Sequence, residues 1–150
     1  QGSEHPDVGN ILFDMSLLER ETGQYARAQT LLERAVKIME KAHGSESLGV
    51  ASCLMSLAKI FAVQGDMATA ETHLQDSLRL FEKNLGINSS RVAYLEATYW
   101  ALAGEHDKAI EFLKLALKRG HQTDFSNDRD FENLRGDTEF EALAAEFKKR

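Results

Sequence analysis

The strongest constraint on this chain is an internal repeat. Val8, Val50 and Val92 lie 42 residues apart, as do Gly44 and Gly86. Gly23 and Gly65 are also 42 apart, whereas Gly65 and Gly104 are separated by 39. Ala28, Ala70 and Ala109 follow the three glycines at one offset, and Leu32, Leu74 and Leu113 at another. A unit of this size cannot bury an apolar face alone. Copies must stack on one another, which makes a solenoid, and a solenoid offers surface for binding rather than a catalytic cleft.

Each unit reads as two helices. Val50, Cys53, Leu54, Leu57 and Phe61 keep the spacing of one apolar helical face. Gly65 ends that helix, because glycine accepts the left-handed backbone of a C-terminal turn. Asp66 caps the next helix, whose stripe is Met67, Ala70, Leu74, Leu78, Phe81 and Leu85. The first unit repeats the scheme with Val8, Ile11, Leu12, Met15 and Leu18, then Ala28, Leu31, Leu32, Ala35, Ile38 and Met39. Pro6, the single proline, suits a first helical turn. No strand pattern competes.

The third unit has lost three residues between Val92 and Gly104. At ~100° per residue this turns the later part of its first helix by about 300°, so Glu96 falls where Met15 and Leu57 sit. Either the face re-registers onto Leu95, Tyr99 and Leu102, or Glu96 is exposed at an end of the stack. After Gly120 the pattern changes. Residues 121–129 read as a polar loop, Phe131 and Leu134 as a short turn, and Asp137 as the cap of a last helix with Phe140, Leu143, Ala144 and Phe147 on one face. That is the atypical terminal element a solenoid needs to cover its last apolar surface.

Composition narrows the function classes. A net charge of −6 argues against general phosphate-backbone binding. The basic ending Lys148-Lys149-Arg150 complements a helix C-terminus. One cysteine, Cys53, excludes an internal disulfide and fits a reducing, cytoplasmic setting. No apolar run approaches the ~18 residues of a membrane span. Gln1-Gly2-Ser3 reads as a cloning remnant.

Together these landmarks resemble the tetratricopeptide repeat: Leu57, Ala58, Phe61, Gly65 and Ala70 in the second unit; Met15, Ser16, Gly23, Tyr25, Ala28 and Ala35 in the first; Ala97, Trp100, Gly104, Ala109 and Ala116 in the third. The 42-residue period exceeds the usual ~34 and, with His5-Pro6-Asp7-Val8, is similar to the kinesin-light-chain-like subclass. Residues 130–143 resemble an ending common in bacterial repeat proteins, where such modules belong to larger regulators. The resemblance implies an all-α superhelix of about three helix pairs within one domain, 1–150. The repeats span about 5–44, 46–86 and 88–120, and 121–150 form the cap.

It also implies a concave groove lined by the first helix of each pair. Carried over by position, the lining is Asn10, Phe13, Asp14, Leu17 and Arg20; then Ser52, Met55, Ser56, Lys59 and Val63; then Arg91, Tyr94, Leu95 and Thr98. Where the motor-protein relatives hold cargo with asparagines, this chain carries Phe13-Asp14 and Met55-Ser56. The paired lysines of the chaperone-tail clamp are missing, and Asp14 would repel a carboxylate.

No catalytic or metal-binding constellation stands out. His5, His43, His73, His106 and His121 lack ligand spacing with one another or with Cys53, which falls on the apolar stripe. Tyr99 and Trp100 have no basic groove beside them and read as packing residues. The expectation is a non-catalytic module without cofactor, metal, nucleic acid or membrane partner, which binds a peptide or protein segment in its groove. The alternative is structural self-association, with an open edge of the stack, or the first helix pair, forming a homodimer.

Overall fold

A computed structural model describes residues 5–149. Gln1-Gly2-Ser3 and Arg150 lie outside the described residues. Seven α-helices follow in order: α1 (Pro6–Glu21), α2 (Tyr25–His43), α3 (Leu48–Val63), α4 (Met67–Leu85), α5 (Ser90–Leu102), α6 (His106–Lys118) and α7 (Thr138–Lys148), with a 3-10 turn at Arg129–Leu134 before α7. No strand occurs among the described residues. The fold is all-α, and the helices come in adjacent pairs. Two compact units divide at Asn84 and Leu85.

In the first unit, Gly23 and Gly65 take φ of +81° and +89°, the left-handed geometry that lets the chain reverse between paired helices. Asp66 Oδ1 accepts from Thr69 N at 3.2 Å, as its capping role requires. Leu12 of α1, Ala28, Leu32, Ala35 and Ile38 of α2, and Cys53, Leu57 and Ile60 of α3 form one core cluster. Gly9 permits the close approach of α1 to α2: a Cβ there would stand 2.9 Å from Met39 Cε. Ser77 Oγ of α4 donates to the Ala51 carbonyl of α3 at 2.7 Å. In the α2–α3 connection, Glu46 pairs with Lys83 and Arg79 of α4.

Two expected stripes are only partly internal: in α4, Met67 is exposed and Leu85 half-buried, and the stripe of α1 departs further. Leu12 is buried, but Ile11, Met15 and Leu18 are exposed. The buried side of α1 is rotated onto Gly9, Leu12 and Ser16, because α1 has α2 on one flank and no described helix over the Ile11–Leu18 face.

In the second unit the missing residues are found in α5, which has 13 residues against 16 in α1 and α3. Of the re-registered face only Tyr99 is buried; Leu95 and Leu102 are half-buried, as is Glu96, which accepts from Trp100 Nε1 at 3.3 Å. The cap is built as expected, with Asp137 Oδ1 accepting from Phe140 N at 3.1 Å. Phe131, Leu134, Phe140, Leu143 and Ala144 join the α5–α6 core. The 121–129 segment departs from a plain polar loop. Phe125 is fully buried, with ring centroids 6.2, 5.7 and 5.6 Å from Phe131, Phe140 and Phe147.

Candidate functional site

Where the periodicity is lost after α6, the chain builds a cleft on the second unit. Gly120, at φ +94°, reverses the chain as α6 ends, and His121 N donates back to the Ala116 carbonyl at 3.0 Å. This turn carries the His121 ring onto Tyr94 of α5, with centroids 4.2 Å apart and planes 8° from parallel. Tyr94 Oη donates to Asp128 Oδ2. Asp128 Oδ1 in turn accepts from Asp130 N at 2.9 Å, opening the 3-10 turn. Arg135 holds the same loop by donating to the carbonyls of Ser126 and Asp128.

The result is a cleft of about 770 Å³ between the start of α5 and the 120–128 loop. Its walls include Ser90, Arg91, Tyr94 and Leu95 from the helix and His121, Asn127 and Asp128 from the loop. Burial, then the hydrogen bond to Asp128 and its negative charge, push the Tyr94 phenol well above its ordinary range, so it stays neutral. Burial lowers the His121 imidazole, against a backbone hydrogen bond with Thr123 and the attraction of Asp128. Asp124 is held below the usual carboxylate range, chiefly by the Ser126 backbone N–H. The cleft therefore combines a neutral aromatic wall with a guanidinium on one side and carboxylates on the other.

Three of the residues nominated in the third repeat, Arg91, Tyr94 and Leu95, line this cleft. Thr98 does not, being buried with its hydroxyl donating to the Leu95 carbonyl at 2.6 Å. In the first unit Asn10 and Asp14 are exposed, and Phe13, Leu17, Arg20 and Ser52 are half-buried. Met55, Ser56 and Lys59 are 2%, 6% and 7% exposed, so they add to packing rather than to open surface. Val63 is half-buried. The contribution of the 120–128 loop was not legible in the repeat pattern, since that segment has no counterpart in the other units.

Cys53, His5, His73 and Trp100 have structural surroundings of their own. Cys53 is buried, and desolvation pushes its thiol up to about 12, which keeps it protonated. His5 caps α1 by accepting from Asp7 N at 3.1 Å, and His73 stacks on Phe61. Trp100 packs against the second core and lies under the Lys108 ammonium, 4.2 Å from its ring centroid. Among the described residues no group of three His, Cys, Asp or Glu side chains is placed to hold a metal ion, and no helix is long and apolar enough to cross a membrane.

Comparison with known families gives one result. The family model described as tetratricopeptide repeat matches residues 7–83 and 50–120. No curated protein matches the chain.

Proposed function

Because this chain belongs to the tetratricopeptide repeat family, whose units mediate protein–protein interaction, we propose that it holds a peptide or protein segment against the faces of its first helices. The observation that carries this reading is the cleft beside α5, where Arg91, Tyr94 and Leu95 come together with a loop-built aromatic wall. In the first unit the accessible members of the nominated set are Asn10, Asp14, Phe13, Leu17, Arg20 and Ser52. The family is typically non-catalytic, and we assign this chain the same role. The 42-residue spacing supports placement in the kinesin-light-chain-like subclass, and the 130–143 ending supports a role within a larger bacterial regulatory protein of the cytoplasm.

Peptides selected from a display library against the full chain test the reading. Tyr94→Ala is a poor probe, because it also removes the Asp128 hydrogen bond and the His121 stack. Arg91→Glu reverses the charge of an exposed side chain on the cleft wall. Selected peptides should bind it at least about tenfold more weakly, a loss of about 1.4 kcal/mol, with helicity intact by circular dichroism. Affinities unchanged in Arg91→Glu would count against the α5 cleft.

A further inference from the structure

The second helix of the third pair departs from its counterparts on a side turned away from the core. Asp107, Glu111, Lys114 and Lys118 of α6 follow in steps of four, three and four residues, so they form one row along the helix, and all four are exposed. The corresponding residues are Ala26, Thr30, Glu33 and Lys37 in α2, and Ala68, Thr72, Gln75 and Arg79 in α4. The acidic half of the row has no counterpart in either. Leu115, beside the row, stands where α2 has Arg34 and α4 has Asp76. The row borders a depression of about 470 Å³, lined also by Ile110, Phe112 and Leu115 and, from α7, by Glu139. This face is not the one that stacking covers. The core side of α2 is packed by α1 and α3. The matching side of α6 is closed, with Ile110, Leu113 and Leu117 clustered with Ala97 and Ala101 of α5 and with Phe131 and Phe140 of the cap.

The order of charge within the row identifies its occupant. Asp107 and Lys118 are equidistant from the peptide bond joining Phe112 to Leu113, and so are Glu111 and Lys114. A second α6 laid antiparallel along the row, about a twofold axis at that point, sets Asp107 against the partner's Lys118 and Glu111 against the partner's Lys114, and each pair occurs twice. The row is its own complement. A parallel pairing would oppose like charges at all four positions. The helix dipole accounts for an acid in the first turn and a base in the last, but its influence fades beyond them, so it does not explain Glu111 and Lys114. Among the described residues Lys114 is paired with Glu139 at 2.8 Å, whereas Asp107, Glu111 and Lys118 make no ion pair. We propose that two copies of the chain associate through antiparallel α6 helices, with this charged row as the contact and Leu115 and the aliphatic stems of the lysines as its apolar part. Lys114 then lies between Glu139 of its own chain and the partner's Glu111. The surface shares no residue with the cleft beside α5.

Sedimentation equilibrium of the full chain over a concentration series tests this. The wild type should form a reversible dimer that weakens as salt is raised, because exposed ion pairs are screened. Asp107→Lys and Lys118→Glu should each weaken self-association at least about tenfold, since either change breaks both outer pairs and puts like charges in their place. Neither touches the Lys114–Glu139 pair, and circular dichroism checks that helix content is kept. Mixing the two variants should restore a one-to-one dimer of near wild-type affinity, because each supplies the charge the other has lost. None of these readings needs a peptide ligand, so they stand apart from the Arg91→Glu result. A chain that stays monomeric at every concentration would overturn the proposal and leave the row to a partner other than a second copy. A dimer that both variants leave intact, or two weakened variants that mixing does not rescue, would overturn it as well.

Discussion

Phe125 and His121 sit four residues apart in a segment that contains Gln122, Thr123, Asp124, Ser126 and Asn127, and their environments differ sharply. Phe125 fills the centre of an aromatic cluster with no solvent exposure. Truncating it leaves a cavity that the surrounding rings cannot collapse around, so Phe125→Ala should cost about 3–5 kcal/mol in a denaturant titration. A loss within the error of a surface substitution would show that the loop is not part of this core. Sequence reading missed Phe125 because one aromatic among polar neighbours carries no periodicity, and burial of a lone side chain depends on tertiary placement. His121 supplies a pH dependence. Its imidazole is lowered from 6.5, chiefly by burial, so between neutral pH and pH 5 the unfolded chain takes up a proton that the folded chain resists. Its contribution is present above pH 6.5 and is lost as pH falls through the lowered value. His121→Phe, which keeps a ring against Tyr94, should therefore show a shallower fall in Tm from pH 7 to pH 5 than the wild type.

At the scale of the element, the three second helices of the pairs begin at matching positions with different chemistry. Gln24, Asp66 and Glu105 each follow a left-handed glycine, yet neither Gln24 nor Glu105 makes a side-chain capping bond, whereas Asp66 does. A short carboxylate reaches the orphan N–H groups of the first turn, and the extra methylene of Gln or Glu moves the oxygen away. Asp66→Ala should lower stability by about 1 kcal/mol, while Gln24→Ala should change it by no more than a few tenths, of order 0.3 kcal/mol. Equal losses at the two positions would refute the difference in capping. Helix identity, pairing, turn glycines and the Asp137 cap were all legible from spacing, because each follows from local chemistry. The register of α5 was not. Deleting three residues leaves two faces available to one helix, and the choice of Tyr99 over Glu96 is made by what packs against it.

At the scale of the whole molecule, a repeat states that positions correspond without stating which copies are covered. Leu18 and Ile60 occupy the same place in successive units, 42 residues apart, and the sequence gives no reason to treat them differently. The structure does: Ile60 is fully buried against the α2 stripe, and Leu18 is 64% exposed. The same logic limits what could be read of the candidate site. First-helix positions were found by offset, but Met55 and Thr98 proved buried where Asn10 and Arg91 are open. Burial separates the two leucine-sized positions. Removing buried atoms loses both their transfer free energy and the contacts of the cavity left behind, whereas an exposed side chain loses little of either. Ile60→Ala should therefore destabilise the fold by about 2–5 kcal/mol, and Leu18→Ala by less than about 0.5 kcal/mol. Both are read from urea midpoints at a fixed, low protein concentration. If Leu18→Ala were as costly as Ile60→Ala in the isolated chain, the α1 edge would be covered in solution.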